Sequence, residues 1–479
     1  MSIYINQLIK SQNMKKVYLL SLLLFIALIT NAQKAKYVFY FIGDGMGLNP
    51  INVTEMYLAE RENYIGISPL TFASFPIAGY ATSFSATNSV TDSSAGGTAL
   101  ATGVKTYNGA IGVDKNKNII ESIAAKAKKN GKKVGIATSV SIDHATPASF
   151  YAHQIDRNMY YEIALDLPKA GFDFYAGSGF LKPETTYKKE QTNSIYPIIK
   201  KAGYTIVKGT KGYNENKGKA KKIVMIQENG YDEKSLPYAI DKKNGNMTLP
   251  EITESAIDFL TKDNKKGFFL MIEGGKIDWA LHANDAATMC QEIIDFDNAI
   301  KVAYDFYKKH PNETLIVITA DHDTGGLGMG TGKYELNLKT IDYQKSSADI
   351  LSMKISQLRK EKKGKVEWKD IYEILKKEFG FWDKIAINWD NEKKLRDEYE
   401  NSFIKCNSHL DENMYSKTEP LATIAKEILN DEAKLAWSSS GHSGAYVPVF
   451  AIGVNAKLFQ GKMDNTDIPK RICKAAGYK

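Results

Sequence analysis

The sequence predicts an α/β fold: one large, mostly parallel central sheet with helices on both faces, plus a mainly helical insertion. Three observations predict it. Short apolar runs recur along the chain with the composition of strands buried on both faces. Segments of helical periodicity lie between them, and strands alternating with helices imply parallel crossovers. One long stretch near the C-terminus is helical throughout and is followed by a further strand.

In chain order the runs are YVFYFIG (37–43), KVGIATS (133–139), GFFLMIE (267–273), TLIVITA (314–320) and VPVFAIG (447–453), all read as buried parallel strands. The helices include ESIAAKAKKNG (121–131), closed by Asn-Gly, and AATMCQEIIDFDNAIKVAYDFYKKH (286–310), apolar at helical spacing. Residues 183–250, rich in Lys, Asn, Gly and Tyr, are expected to cross the surface irregularly. Residues 345–436 form the helical insertion. They sit inside the sheet domain, because VPVFAIG follows them and needs a sheet to join. There is no internal repeat and no low-complexity linker.

A chain of 479 residues with 43% hydrophobic and 25% charged residues can bury a sizeable core. Its net charge is +8, and because residues 1–32 hold three lysines and no acid, residues 33–479 carry +5. The lysines are interleaved with acids, as in EKKGKVEWKD, which describes a solvated face and no nucleic-acid groove. Cys290, Cys406 and Cys473 stand far apart without a CxxC, so neither a disulfide scaffold nor a thiolate zinc site is expected. Any metal must be held by Asp, Glu and His.

At the N-terminus, Lys15 and Lys16 precede an apolar run of thirteen residues (17–29), polar only at Ser21, and then Thr-Asn-Ala. This is the pattern of a secretory signal peptide over residues 1–32, cleaved between Ala32 and Gln33, and the run is short for a membrane anchor. Met14 opens the basic segment and is an alternative start to Met1. The mature chain, residues 33–479, is expected to be one domain without a membrane span, in the periplasm or secreted.

Open α/β sheets bind ligands at the carboxyl ends of their strands. Asp44 follows the first run, and His144 and Thr146 follow the second. Glu273 ends the third, Asp321 and His322 follow the fourth, and His442 precedes the last. Singly, most have ordinary explanations: Asp44-Gly45 as a turn, Glu273 and Asp278 as caps, His442 as a loop histidine. Asp278 and His282 are four apart, so on a helix both face the same way. With His442 they make three N/O ligands and an open position, a catalytic zinc pattern. Asp44, Asp321 and His322 make a second such set. Asp44, Thr146 and Glu273 make an all-oxygen set suited to Mg²⁺. Spacing alone leaves these groupings open.

VTDSSAGGTALATG (90–103) reads as a capped helix start, and equally as a serine nucleophile where N–H groups receive an anion. GLGMGTGK (326–333) has the glycines of a phosphate loop but the wrong spacing.

Six motifs in order (DGMG, VTDSSAGGTALATGVKTYNGAIGVD, HATPASFYAHQIDRN, EGGKIDWALH, TADHDTGG and SGHSG) resemble those of alkaline phosphatases, as does the tail DNTDIPKRICKAAG. The resemblance covers most of 36–344 and 437–479. The helical block falls where that family carries variable insertions near the active-site mouth. What the resemblance implies is a phosphate monoesterase with two Zn²⁺ and one Mg²⁺, as a homodimer or a monomer. Ser93, directly after Asp92, matches the nucleophile and Arg157 the guanidinium that grips the phosphoryl group. Ser94 is expected to be a bystander. Two positions depart from some relatives. His144 replaces an Asp near the Mg²⁺ site and would favour Zn²⁺ there. Trp279 replaces a Lys or His beside the phosphate, which implies weaker phosphate retention. The alternatives are a diesterase or sulfatase on the same scaffold, against which Arg157 and Ser93 argue, and a non-catalytic secreted metal- or phosphate-binding protein.

Overall fold

The computed structural model describes Met14 and residues 33–229, 232–332, 334–407, 409–412 and 415–479. The expected leader over 1–32, Met14 apart, lies outside the described residues. Ten strands form the main sheet: β1 Tyr37–Gly43, β2 Ile77–Thr82, β3 Lys133–Thr138, β4 Phe174–Ala176, β5 Thr205–Lys208, β6 Ile223–Ile226, β7 Phe268–Gly274, β8 Thr314–Thr319, β9 Val447–Gly453 and β10 Gly461–Asp464. Their spatial order is β10-β2-β9-β8-β1-β7-β3-β4-β6-β5. Side chains of β1 alternate between two apolar layers, which is why its run is unbroken. Phe41 meets Phe296 of the helix Ala286–Lys309 on one face, and Tyr40 meets Phe150 on the other. The mostly parallel sheet covered on both faces is thus the observed architecture.

VPVFAIG departs from expectation. It lies in the sheet but runs antiparallel to both neighbours, β8 and β2, with Val449 opposite Thr319. The reversal has a consequence for the site. Only a reversed strand starts at the edge where the parallel strands end, so only then does a residue preceding it, His442, reach that edge.

Residues 183–250 also depart from expectation. They contain β5 and β6, which extend the sheet, and the helices Ile195–Lys201 and Gly209–Asn216. Each of these strands is four residues long, and β5 is an edge strand with partly exposed side chains, so neither makes a long apolar run.

Within 345–436 lie the helices Ala348–Glu361, Trp368–Phe379, Trp389–Tyr399 and Pro420–Ala433. A short antiparallel pair, Asp411–Glu412 with Lys417–Thr418, frames Tyr415 between the last two. The C-terminal end of KEILNDEAKLAW is a strand, Leu435–Trp437, paired with Leu327–Met329. No helix among the described residues is long and apolar enough to cross a membrane.

Candidate active site

The parallel register aligns the carboxyl ends of the central strands. Ile42 is level with Glu273 and Thr319, and Glu273 with Thr138. Residues just past those ends therefore converge. The helix Ser93–Thr102 ends in the same place, its N-terminus capped by Asp92, whose Oδ1 accepts from the Ala95 N–H at 3.0 Å. The small residues of SSAGGTA let it approach closely: a Cβ on Gly96 would lie 3.1 Å from the Asp321 carbonyl, and one on Gly97 would lie 3.2 Å from the Thr146 Cα. Ser93 is fully buried, with Oγ 3.2 Å from His322 Nε2.

Ser94 turns away. Its hydroxyl donates to Asp92 Oδ2 and accepts from the Gly109 N–H at 3.0 Å. Asp92 Oδ2 also takes Arg157 Nη1 at 3.2 Å. Burial alone would raise the Asp92 carboxyl, but Arg157 and the bonds from Ser94, Ala95 and Gly109 outweigh it and hold it below the usual range. Arg157 is thus tethered beside Ser93 through a charged partner.

Three groups of side chains place one possible ligand atom each within 4.8 Å of one another: Asp278, His282 and His442; Asp44, Asp321 and His322; Asp44, His144 and Glu273. In the first, Asp278 and His282 share one face of the helix Lys276–His282. His442 is delivered by the pairing of His442–Ser443 with Asp323–Thr324. His282 Nδ1 faces the Ser440 carbonyl at 2.5 Å and His442 Nδ1 the Thr91 carbonyl at 2.8 Å. Those carbonyls can only accept, so each Nδ1 carries the proton. The two Nε2 lone pairs then face each other 3.1 Å apart, with Asp278 Oδ2 3.3 Å from His282 Nε2. Two lone pairs and a carboxylate at that spacing repel unless a cation lies among them. In the second group His322 Nε2 is 3.3 Å from both Asp44 Oδ1 and Asp321 Oδ2. In the third, Thr146 donates to Asp44 Oδ2 at 3.4 Å, and Thr138 donates to Glu273 Oε2.

The charge balance supports the same reading. Asp44, Glu273, Asp278 and Asp321 are all fully buried, and one oxygen of each (Asp44 Oδ1, Glu273 Oε1, Asp278 Oδ2, Asp321 Oδ2) has no hydrogen-bond partner among the described residues. Burial, then the neighbouring carboxylates, push Asp44 and Asp321 well above their ordinary range. Burial lifts Glu273 to about 7. Asp278 alone is held low when His282, His442 and His322 carry positive charge, which outweighs its burial. Burial lowers His144 to about 3, so its ring is neutral and able to ligate, and its Nδ1 has no partner among the described residues. Buried acids crowded in this way need positive charge, and the donor set of carboxylate and imidazole fits Zn²⁺ and Mg²⁺.

All thirteen residues singled out in the sequence gather at this edge. Trp279 Nε1 is buried without a partner among the described residues, and the indole stacks on Tyr415 at 4.6 Å and 12°. Two residues were missed. Thr324 accepts from His322 Nδ1 at 3.2 Å and donates to Asp278 Oδ1 at 2.6 Å, joining two of the groups; its place in TADHDTGG was the available signal. Tyr415 reaches the site from the helical block, and no motif marks it.

The sequence profile described as alkaline phosphatase matches residues 35–177 and 181–478. Alkaline phosphatase 3 of Bacillus subtilis (strain 168) is 33% identical over 459 residues, covering 94% of this chain and 90% of its own. The structure of a cold-active alkaline phosphatase from the psychrophile Shewanella sp. matches with a TM-score of 0.77 at 29% identity, covering 92% of this chain and 99% of that one. That of the Antarctic bacterium TAB5 matches at 0.63 and 26%, covering 94% and 100%. A TAB5 variant with a histidine changed to glutamate is described with Mg bound in the M3 site; it is 27% identical to this chain, with a TM-score of 0.63, covering 94% and 100%. Fold and site define a hydrolase built on a large, mostly parallel sheet, with carboxylate and imidazole groups clustered at its carboxyl edge. The chain belongs to the alkaline phosphatase family.

Proposed function

We propose that this protein is an exported phosphate monoesterase that works through a phosphoserine at Ser93, in a site built for two Zn²⁺ and a third ion. One observation carries this reading: Ser93 Oγ lies against His322 of one ligand group, with Arg157 tethered by Asp92 on the adjoining residue. The ions would be held by Asp278, His282 and His442, by Asp44, Asp321 and His322, and by Asp44, Thr146 and Glu273 with His144 alongside. Bound there, they supply the Lewis-acid charge that makes a serine hydroxyl and a water nucleophilic at working pH.

The chain's own residues do the rest. Arg157 grips two phosphoryl oxygens in a bidentate fork, and the N–H groups at the start of Ser93–Thr102 face the same anion. Ser93 Oγ bonds to phosphorus as the ester P–O bond breaks and the alcohol leaves. Water then attacks the phosphoserine, returning Ser93 and releasing inorganic phosphate. A monoester dianion offers three terminal oxygens, two for Arg157 and a third for the ions, whereas a diester offers only two and a single negative charge. Assaying an aryl monoester and its diester on one sample of known metal content tests this. The monoester should be hydrolysed far faster, and preferential turnover of the diester would overturn the proposal.

Export rests on the basic-apolar-small pattern of residues 15–32, with the mature chain starting after Ala32. For the third ion, the neutral His144 ring favours Zn²⁺ over Mg²⁺. His144→Asp should therefore raise Mg²⁺ affinity by about tenfold or more in titrations of the metal-depleted protein; unchanged affinity would remove His144 from the third site. Trp279 leaves the phosphate without a nearby cation at that position. Trp279→Lys should lower the inhibition constant of inorganic phosphate by about tenfold, the effect of one added charge-assisted contact. Equal inhibition of the two proteins would count against that role.

A further inference from the structure

Arg157 must present two of its five N–H groups to a phosphoryl group, so what fixes the others decides how well the clamp is set before substrate arrives. One side is held by Asp92 at 3.2 Å. On the other, Arg157 Nη2 lies 3.5 Å from His144 Nε2. The Tyr415 hydroxyl, shielded from solvent, lies beside the same guanidinium and interacts with it electrostatically. The Tyr415 ring is itself fixed. It stacks on Trp279 at 4.6 Å and meets His282 and His144 with centroids 5.3 and 5.9 Å away. Tyr415 is carried by the short pair Asp411–Glu412 and Lys417–Thr418, within the helical block.

We propose that Tyr415 is a positioning residue for Arg157: its hydroxyl orients the guanidinium toward the phosphoryl group, and the helical block thereby supplies one wall of the phosphate pocket. The block is then part of the site, and not only a cover above it. A clamp held on both sides loses less freedom when it closes on phosphate, and the Tyr415 hydroxyl contributes that order without touching the reacting atoms. The inference rests on Arg157 being the phosphate clamp.

The test is a double-mutant cycle on the metal-loaded enzyme with Tyr415→Phe, Arg157→Ala and the pair, reading KM for an aryl phosphate, kcat and the inhibition constant of inorganic phosphate. Tyr415→Phe keeps the stacked ring, and its melting temperature should stay close to that of the parent. The expected result is a rise of about tenfold in KM and in the phosphate inhibition constant, with kcat much less affected. On the Arg157→Ala background the same change should have almost no further effect. Equal effects of Tyr415→Phe on both backgrounds, or none on the parent, would overturn the proposal while leaving the clamp intact. If Arg157→Ala itself leaves phosphate binding unchanged, the clamp falls and the Tyr415 proposal with it.

Discussion

Ser93→Ala leaves the protein folded and metal-loaded but lowers monoesterase kcat by about a thousandfold or more, because the hydroxyl that lies against His322 is gone. Ser94 is the adjacent candidate, and its hydroxyl is committed to Asp92 and Gly109. Ser94→Ala should accordingly keep most of the activity. The two variants together separate the serines, and steady-state kinetics at matched metal content is the measurement. An active Ser93→Ala enzyme, or a dead Ser94→Ala enzyme, would reverse the assignment.

Removing the metals should have an effect of similar size on activity and a second, pH-dependent effect on stability. With no cation present, Asp44, Asp321 and Glu273 all have raised pKa values, burial being the first cause in each. The folded chain therefore prefers these acids protonated. That contribution to stability is complete below their unfolded pKa values and is lost as pH rises through the folded ones. For Glu273 the window runs from 4.5 to about 7. Asp278 acts in the opposite sense, being held low by three imidazoles, so the net trend follows the other three acids. Chelated protein should lose thermal stability as pH is raised across that window, and loaded protein should not. At pH 8 the gap in melting temperature should be roughly 10 °C. A chelated protein that melts with the loaded one at alkaline pH would mean that these acids do not hold metal.

The strands most legible in the sequence are those buried wholly or mostly on both faces. Tyr37–Gly43 and Val447–Gly453 are continuous apolar runs, and the structure gives both the same ends. Ile77–Thr82 and Gly461–Asp464 lie near the sheet's edge, expose part of their side chains and have no such run. Direction is another matter. Composition records burial and carries no polarity, so the reversal of Val447–Gly453 had to come from the structure. The ligands were legible because chemistry at a strand's carboxyl end sits immediately after an apolar run, as Asp44 and Asp321 do. Tyr415 enters from a distant segment through a short pair of strands, and a lone tyrosine in a helical block carries no local signal. The stack on Trp279 exists only once the chain has folded.

In the proposed reaction phosphate passes through Ser93. Acid quench of the enzyme during turnover of a phosphate monoester, followed by digestion and mass spectrometry, tests it most directly. One added phosphoryl group is expected on the peptide containing Asp92 and Ser93, located on Ser93 and absent in Ser93→Ala. Phosphate on another residue, or full turnover in Ser93→Ala with no phosphopeptide, would contradict it.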